Sequence, residues 1–199
     1  MPSPAADSSP PLVLASSSPF RRALLERLCV PFDTAAPEVD ETPLPGETPE
    51  ALVQRLAKAK AAAVSAERPG AVVIGSDQVA EIDGRILGKP GGREQARRQL
   101  AAASGRSVRF LTGLCVMGPR APAAVALVPF IVRFRTLDEA RIERYLEREQ
   151  PWNCAGSIRS EGLGISLFES MEGSDPTALI GLPLIRLVQM LEPQGILIP

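Results

Sequence analysis

Three short clusters carry the residues whose types and spacing suit chemistry. In the first, Gly75-Ser76-Asp77 follows the β-branched run Val72-Val73-Ile74, and Gly88-Lys89-Pro90 follows a turn at Asp83-Gly84. Such a run predicts a strand covered on both faces. If it stops at Gly75, Asp77 lies just past the strand's carboxyl end, where open α/β sheets hold their ligands. The turn predicts a hairpin of 78–82 with 85–87, which brings Lys89 back toward Asp77. An acid and a cation from one segment make a catalytic core; a solvated aspartate beside a surface hairpin is the competing arrangement.

The second cluster is Ser16-Ser17-Ser18-Pro19-Phe20-Arg21-Arg22. Ser18 suits a helix N-cap and Pro19 the first helical position. Free helix N–H groups, serine hydroxyls and two arginines at one helix start form a ready phosphate site; a capped surface helix is the alternative. Counting back three from Leu24 puts Arg21 on the helix's apolar stripe, facing inward. The third is Lys60, seven residues after Val53 and on the same stripe as Val53, Ala57 and Val64. A lysine there either finds an anionic partner or snorkels to the surface.

Composition narrows the chemistry. The 199 residues contain no histidine, which removes His-based triads and His-ligated zinc, so a general base must be a carboxylate, a lysine or water. Cys29, Cys115 and Cys154 are odd in number and far apart, suggesting neither disulfides nor a thiolate cluster. A net charge of −1 and only one Trp, one Tyr and six Phe argue against a nucleic-acid binder. Met1–Pro10 has no signal-peptide pattern and reads as a disordered tail. The longest apolar stretch, 121–132, is short and proline-interrupted, so a cytosolic protein without membrane partners is expected.

The elements that must position these clusters follow from periodicity and punctuation. Strands are predicted at 12–15, 31–35, 107–117 and 125–135, and helices at 19–28, 49–66, 92–103 and 137–149, the last capped by Thr136. Residues 37–49 form a proline-rich acidic loop, solvated or able to lend a carboxylate to a divalent cation. Asn153–Gly164 is glycine- and serine-rich around Arg159 and Glu161, an irregular polar segment that is either a structural turn or a close approach to ligand. Asp175-Pro176 and Leu182-Pro183 begin two more helices, the second with an apolar stripe at Leu184, Leu187, Val188 and Leu191. One elongated α/β domain over residues 11–199, with a cleft between lobes, is expected.

Seven motifs in order now mark a resemblance: Leu14 to Arg22, Asp40-Glu41-Thr42, Ala57-Lys58-Ala59-Lys60-Ala61, Gly75-Ser76-Asp77-Gln78-Val79, Gly88-Lys89-Pro90, Cys154-Ala155-Gly156 and Gly181-Leu182-Pro183. Over about residues 12–192 the chain resembles the Maf-like nucleotide pyrophosphatases. The resemblance implies a mixed, elongated β-sheet flanked by helices with a central cleft, as in inosine-triphosphatase-like folds, in a cytosolic and frequently dimeric protein. It implies hydrolysis of a nucleoside triphosphate to monophosphate and pyrophosphate with a divalent cation, Mg²⁺ or Mn²⁺. By position, Asp77 is the water-activating base; Ser16, Arg21, Arg22, Lys60 and Lys89 hold phosphate; Glu41 and Asp77 are metal-associated. Phe20, Gln78 and Glu161 resemble the base-selecting residues of the 7-methyl-GTP branch, although Ile158-Arg159 stands where that branch carries Phe-Lys. The alternatives are the dTTP/UTP branch and a non-catalytic nucleotide-binding regulator of cell division.

Overall fold

The computed structural model describes residues 9–199; most of the tail reading, residues 1–8, lies outside them. Strands β1 (Leu12–Ala15), β2 (Asp33–Ala35), β3 (Val72–Ile82), β4 (Arg85–Leu87), β5 (Ser107–Met117), β6 (Ala124–Phe134) and β7 (Phe168–Glu172) form one sheet, ordered β2-β1-β3-β5-β6-β7 with β4 on β3. β1 runs parallel to β2 and β3, and the other pairings are antiparallel. The expected mixed sheet with flanking helices is therefore present. The helices are α1 (Pro19–Glu26), α2 (Pro49–Glu67), α3 (Arg93–Ala103), α4 (Glu139–Glu149) and α5 (Leu184–Leu191).

Two expectations are corrected. The β-branched run does not stop at Gly75: β3 continues without a break to Ile82, pairing with β5 from Val73↔Met117 to Glu81↔Arg109. Asp77 is thus inside a strand. Gly75 is there for close packing, because a β-carbon on it would overlap the Ala57 carbonyl oxygen of α2. Helix α4 is capped by Asp138, whose carboxylate accepts the Arg141 N–H, and not by Thr136. β7, an edge strand with four exposed residues, has no counterpart in the sequence reading.

Strand alternation distributes the residues of β3 between the two faces. Val73 packs with Val13, Ala57, Ala61 and Cys115 beneath α2, while Ile74 packs with Leu14, Leu24, Leu114 and Leu187 on the α1/α5 side. Asp77 shares the first face and Ser76 and Gln78 the second. β1 pairs with β3 only as far as Ala15↔Gly75, and β4 begins at Ala80↔Leu87. Ser76–Val79 therefore has no strand on that side, and both faces of β3 reach the same opening around the uncovered edge.

Gly113 of β5 meets α2 as Gly75 does; a β-carbon there would overlap the Val53 carbonyl. Gly113→Ala is expected to destabilise the fold by about 1–3 kcal/mol or more, read as a lower urea midpoint. An unchanged midpoint would contradict the close packing.

Candidate active site

Around the uncovered edge of β3 lies a cleft of about 580 Å³. On the α2 face, Lys60 takes the first of its two alternatives: it is buried, and its ammonium bridges two carboxylates, Asp77 Oδ1 at 2.7 Å and Glu41 Oε1 at 2.5 Å. Both Lys60 and Asp77 are 7% exposed. Asp77 Oδ2 accepts no protein hydrogen bond among the described residues, so it is the oxygen free to meet water. The Glu41 carboxyl sits below its usual range: desolvation pushes it up, and the hydrogen bond and charge of Lys60, with Lys89 and Arg21, outweigh that.

Glu41 comes from the proline-rich loop, and α2 fastens that loop. Arg55 donates to Glu47 Oε1 at 2.6 Å and Oε2 at 2.8 Å, and to the Thr42 carbonyl at 3.1 Å. Glu47 in turn accepts the Leu44 N–H at 3.0 Å. Residue type and spacing do not separate Glu41 from its acidic neighbours Glu38, Asp40 and Glu47; the resemblance names it by position, and the geometry around Lys60 gives the physical reason.

On the opposite face, helix α1 starts as expected, with Ser18 accepting the Arg21 N–H. Arg21 turns inward and donates from Nε to the Gly181 carbonyl at 2.8 Å, and Nη1 lies 3.5 Å from Ser16 Oγ. Desolvation lowers its pKa, opposed by the charges of Asp77 and Glu41. The Gly181 carbonyl also lies 2.9 Å from Ser76 Oγ, which is equally close to the Gly113 carbonyl. Ser76 and Gly181 thus position Arg21 relative to β3, a role that residue type alone does not announce. Arg22 is not brought in: it faces solvent, pairs with Glu26 at 3.0 Å and does not line the cleft. Lys89 lines the mouth and is exposed.

Gln78 is held by its amide nitrogen, which lies within 3.2 Å of Thr112 Oγ1 and the Ala178 and Leu179 carbonyls. Thr112 donates its own proton to Ala178, which leaves its oxygen as an acceptor. With the NH₂ spent on acceptors, Gln78 offers its oxygen to a ligand. Phe20 and Glu161 line the same end, with Arg159 lying over the Phe20 ring at 5.6 Å. Segment 153–161 is anchored from behind: Tyr145 Oη donates to the Ser157 carbonyl and accepts the Arg159 N–H, each at 3.2 Å, and Ser157 Oγ donates to Gln99 Oε1 at 2.5 Å. Burial pushes the Cys154 thiol up to about 11, so this cleft-lining sulfur stays protonated and is no nucleophile.

Glu41 and Asp77 are hard oxygen donors already converging on one cation, the Lys60 ammonium. That donor set suits Mg²⁺ or Mn²⁺, since Mg²⁺ commonly uses one or two carboxylates and completes its shell with water and phosphate. Among the described residues no three or more His, Cys, Asp or Glu converge, so a divalent ion would rest on these two side chains.

The cleft therefore carries Arg21, Lys60 and Lys89 with two carboxylates at one end, and the Phe20 ring with the Gln78 and Glu161 oxygens at the other. The chain belongs to the Maf family, whose profile, described as Maf-like protein, matches residues 11–194. It is 57% identical over 196 residues to a 7-methyl-GTP pyrophosphatase of Nitrosococcus oceani, covering 98% of this chain and 97% of that protein. It is 56% identical over 191 residues to one of Pseudomonas aeruginosa, covering 96% and 100%. Among solved structures, the Ham1 protein of Staphylococcus aureus aligns with a TM-score of 0.45 at 19% identity, over 62% of this chain and 71% of that one.

The Glu47 carboxyl is held down at about 2, first by the Arg55 hydrogen bonds and then by the Leu44 N–H. A depressed carboxyl stabilises above its unfolded pKa and loses that contribution as pH falls through the folded value. Hydrogen exchange of residues 42–46 should therefore be faster in Glu47→Gln than in wild type at neutral pH, and the difference should vanish near pH 2. Equal rates at neutral pH would remove the fastening role.

Proposed function

We propose that the chain hydrolyses 7-methyl-GTP to 7-methyl-GMP and pyrophosphate, using Asp77 as general base. One observation carries this reading: a nearly buried carboxylate, fixed by Lys60 through one oxygen and free at the other, beside the inward Arg21. The names of the relatives above point to the same reaction.

In this reading the triphosphate lies along Ser16, Arg21, Lys60 and Lys89, whose positive groups neutralise it and orient the α-phosphorus. Asp77 Oδ2 takes a proton from water as the water oxygen bonds to the α-phosphorus. The bond from that phosphorus to the bridging oxygen of the β-phosphate breaks, and pyrophosphate leaves. A divalent cation held by Glu41 and Asp77 would add charge neutralisation on the phosphate oxygens. The base reaches the far end, where Phe20 offers a stacking face, and Gln78 and Glu161 offer oxygens to the N1–H and exocyclic amine of a guanine. Lys60 has two duties: it holds Asp77 in place and contributes charge toward phosphate. Cytoplasmic residence fits a substrate from the nucleotide pool.

The test is pyrophosphate release from a nucleotide panel with Mg²⁺. Release should be fastest, by kcat/KM, from 7-methyl-GTP and slower from dTTP and UTP. The reverse order would move the chain to the other branch, and binding without release from any nucleotide would make it a sensor. Asp77→Asn should lower kcat by about 10²–10⁴-fold with a much smaller change in KM.

A further inference from the structure

The base end of the cleft contains a charge cluster of which the proposed reaction uses only Glu161. The Arg159 guanidinium, whose side chain is 44% exposed, lies over the Phe20 ring at 5.6 Å. It also donates to Glu149 Oε1 at 3.1 Å and Glu161 Oε1 at 3.3 Å. Glu149 ends α4 and is far less accessible, with its side chain 8% exposed. Its other oxygen accepts the Leu163 N–H at 2.5 Å, and a β-carbon on Gly162 would lie 2.8 Å from both carboxylate oxygens. The 159–163 turn is therefore wrapped around this carboxylate, and the cleft wall includes it.

An aromatic face flanked by two carboxylates attracts a flat cation, by ring quadrupole on one side and charge on the other. Arg159 is such a cation. Any base that stacks on Phe20 must displace it. A neutral base would leave the nearly buried Glu149 without a counter-charge, which is costly. A base with a delocalised positive charge would replace what it displaced.

We infer that Glu149 is a specificity-determining residue that, with Phe20 and Glu161, forms a receptor for a positively charged purine, and that Arg159 is its resident occupant, leaving as the base enters. The inference rests on the nucleotide reading above and adds a cause for base choice: an exchange of one planar cation for another. A 7-methylguanine ring carries the required charge and a guanine ring does not.

The two ideas separate experimentally. Calorimetric dissociation constants for 7-methyl-GMP and GMP measure the receptor without any anhydride to cleave. Wild type should bind 7-methyl-GMP more tightly. Arg159→Gln removes the competitor that both bases must displace and should tighten both ligands by about fivefold, leaving the preference for 7-methyl-GMP in place. Glu149→Gln keeps an oxygen for the Leu163 N–H but loses the charge, and should narrow it by about tenfold. Arg159 is exposed enough that its variant tests the idea even if Glu149→Gln unfolds. Affinities unchanged in Arg159→Gln, or no preference in wild type, would overturn the receptor. Pyrophosphate release from 7-methyl-GTP by wild type reads the reaction separately. Release without a wild-type preference removes the receptor alone; preference without release removes the hydrolysis alone.

Discussion

The cleft exists because β1 ends at Ala15 while β3 continues to Ile82. Between the end of β1 and the start of β4, Ser76–Val79 has no partner strand on one side. In a fully paired sheet, Asp77 and Gln78 would point to opposite faces and never meet one ligand. At an uncovered edge they can, because a molecule can straddle the strand. β3 is held straight through this stretch by β5 on its other side and by α2 pressed on it, which requires Gly75 and Gly113. The glycines bring the helix backbone close enough for Lys60 to reach Asp77 at 2.7 Å.

Lys60 then has no route to bulk water comparable to that of a surface lysine, and two carboxylates compensate its burial. The arrangement makes each member depend on the others. Glu41 is drawn inward by the ammonium, and its loop is fastened outside the cleft by Arg55. Arg21, on the other face, depends on the Gly181 carbonyl, itself shared with Ser76. Polar contacts therefore tie β3 to α2 and to the Gly181 segment, and through these to the Glu41 loop and α1, with the apolar cores beneath them.

Legibility in the sequence followed periodicity. The apolar stripes single out Arg21 and Lys60 as charged residues on inward faces; both do face inward, and for Lys60 the contact with two carboxylates, not the stripe, excludes snorkelling. Helix starts at Ser18 and Thr48 were legible because their capping chemistry is local. Asp77's setting was misread since a glycine inside a β-branched run signals a break and a close approach equally well, and only the partner helix decides. Glu41 is named among four acids only through the Asp40-Glu41-Thr42 resemblance; its physical cause is a contact nineteen residues away in sequence, which no periodicity or capping pattern encodes. Gln78's polarity was hidden for the same reason: carbonyls 100 and 101 residues further on determine which end of its amide faces a ligand. β7 was missed because an exposed edge strand has no buried face to impose alternation.

The distribution of donors and acceptors along the cleft has a consequence for how a ligand enters. One end offers Arg21, Lys60 and Lys89, partly offset by Glu41 and Asp77; the other offers Glu149, Glu161 and the Gln78 oxygen, partly offset by Arg159. A nucleotide approaching ring-first toward the cationic end would set its phosphates against Glu149 and Glu161. The opposite orientation lowers the energy at both ends, so the field selects it before any contact forms. Orientation then follows from charge, while the choice of base follows from the short-range groups around Phe20. In the proposed reaction, because Asp77 and Gln78 are adjacent on one paired strand, placing the base against Gln78 would also place the α-phosphorus relative to Asp77.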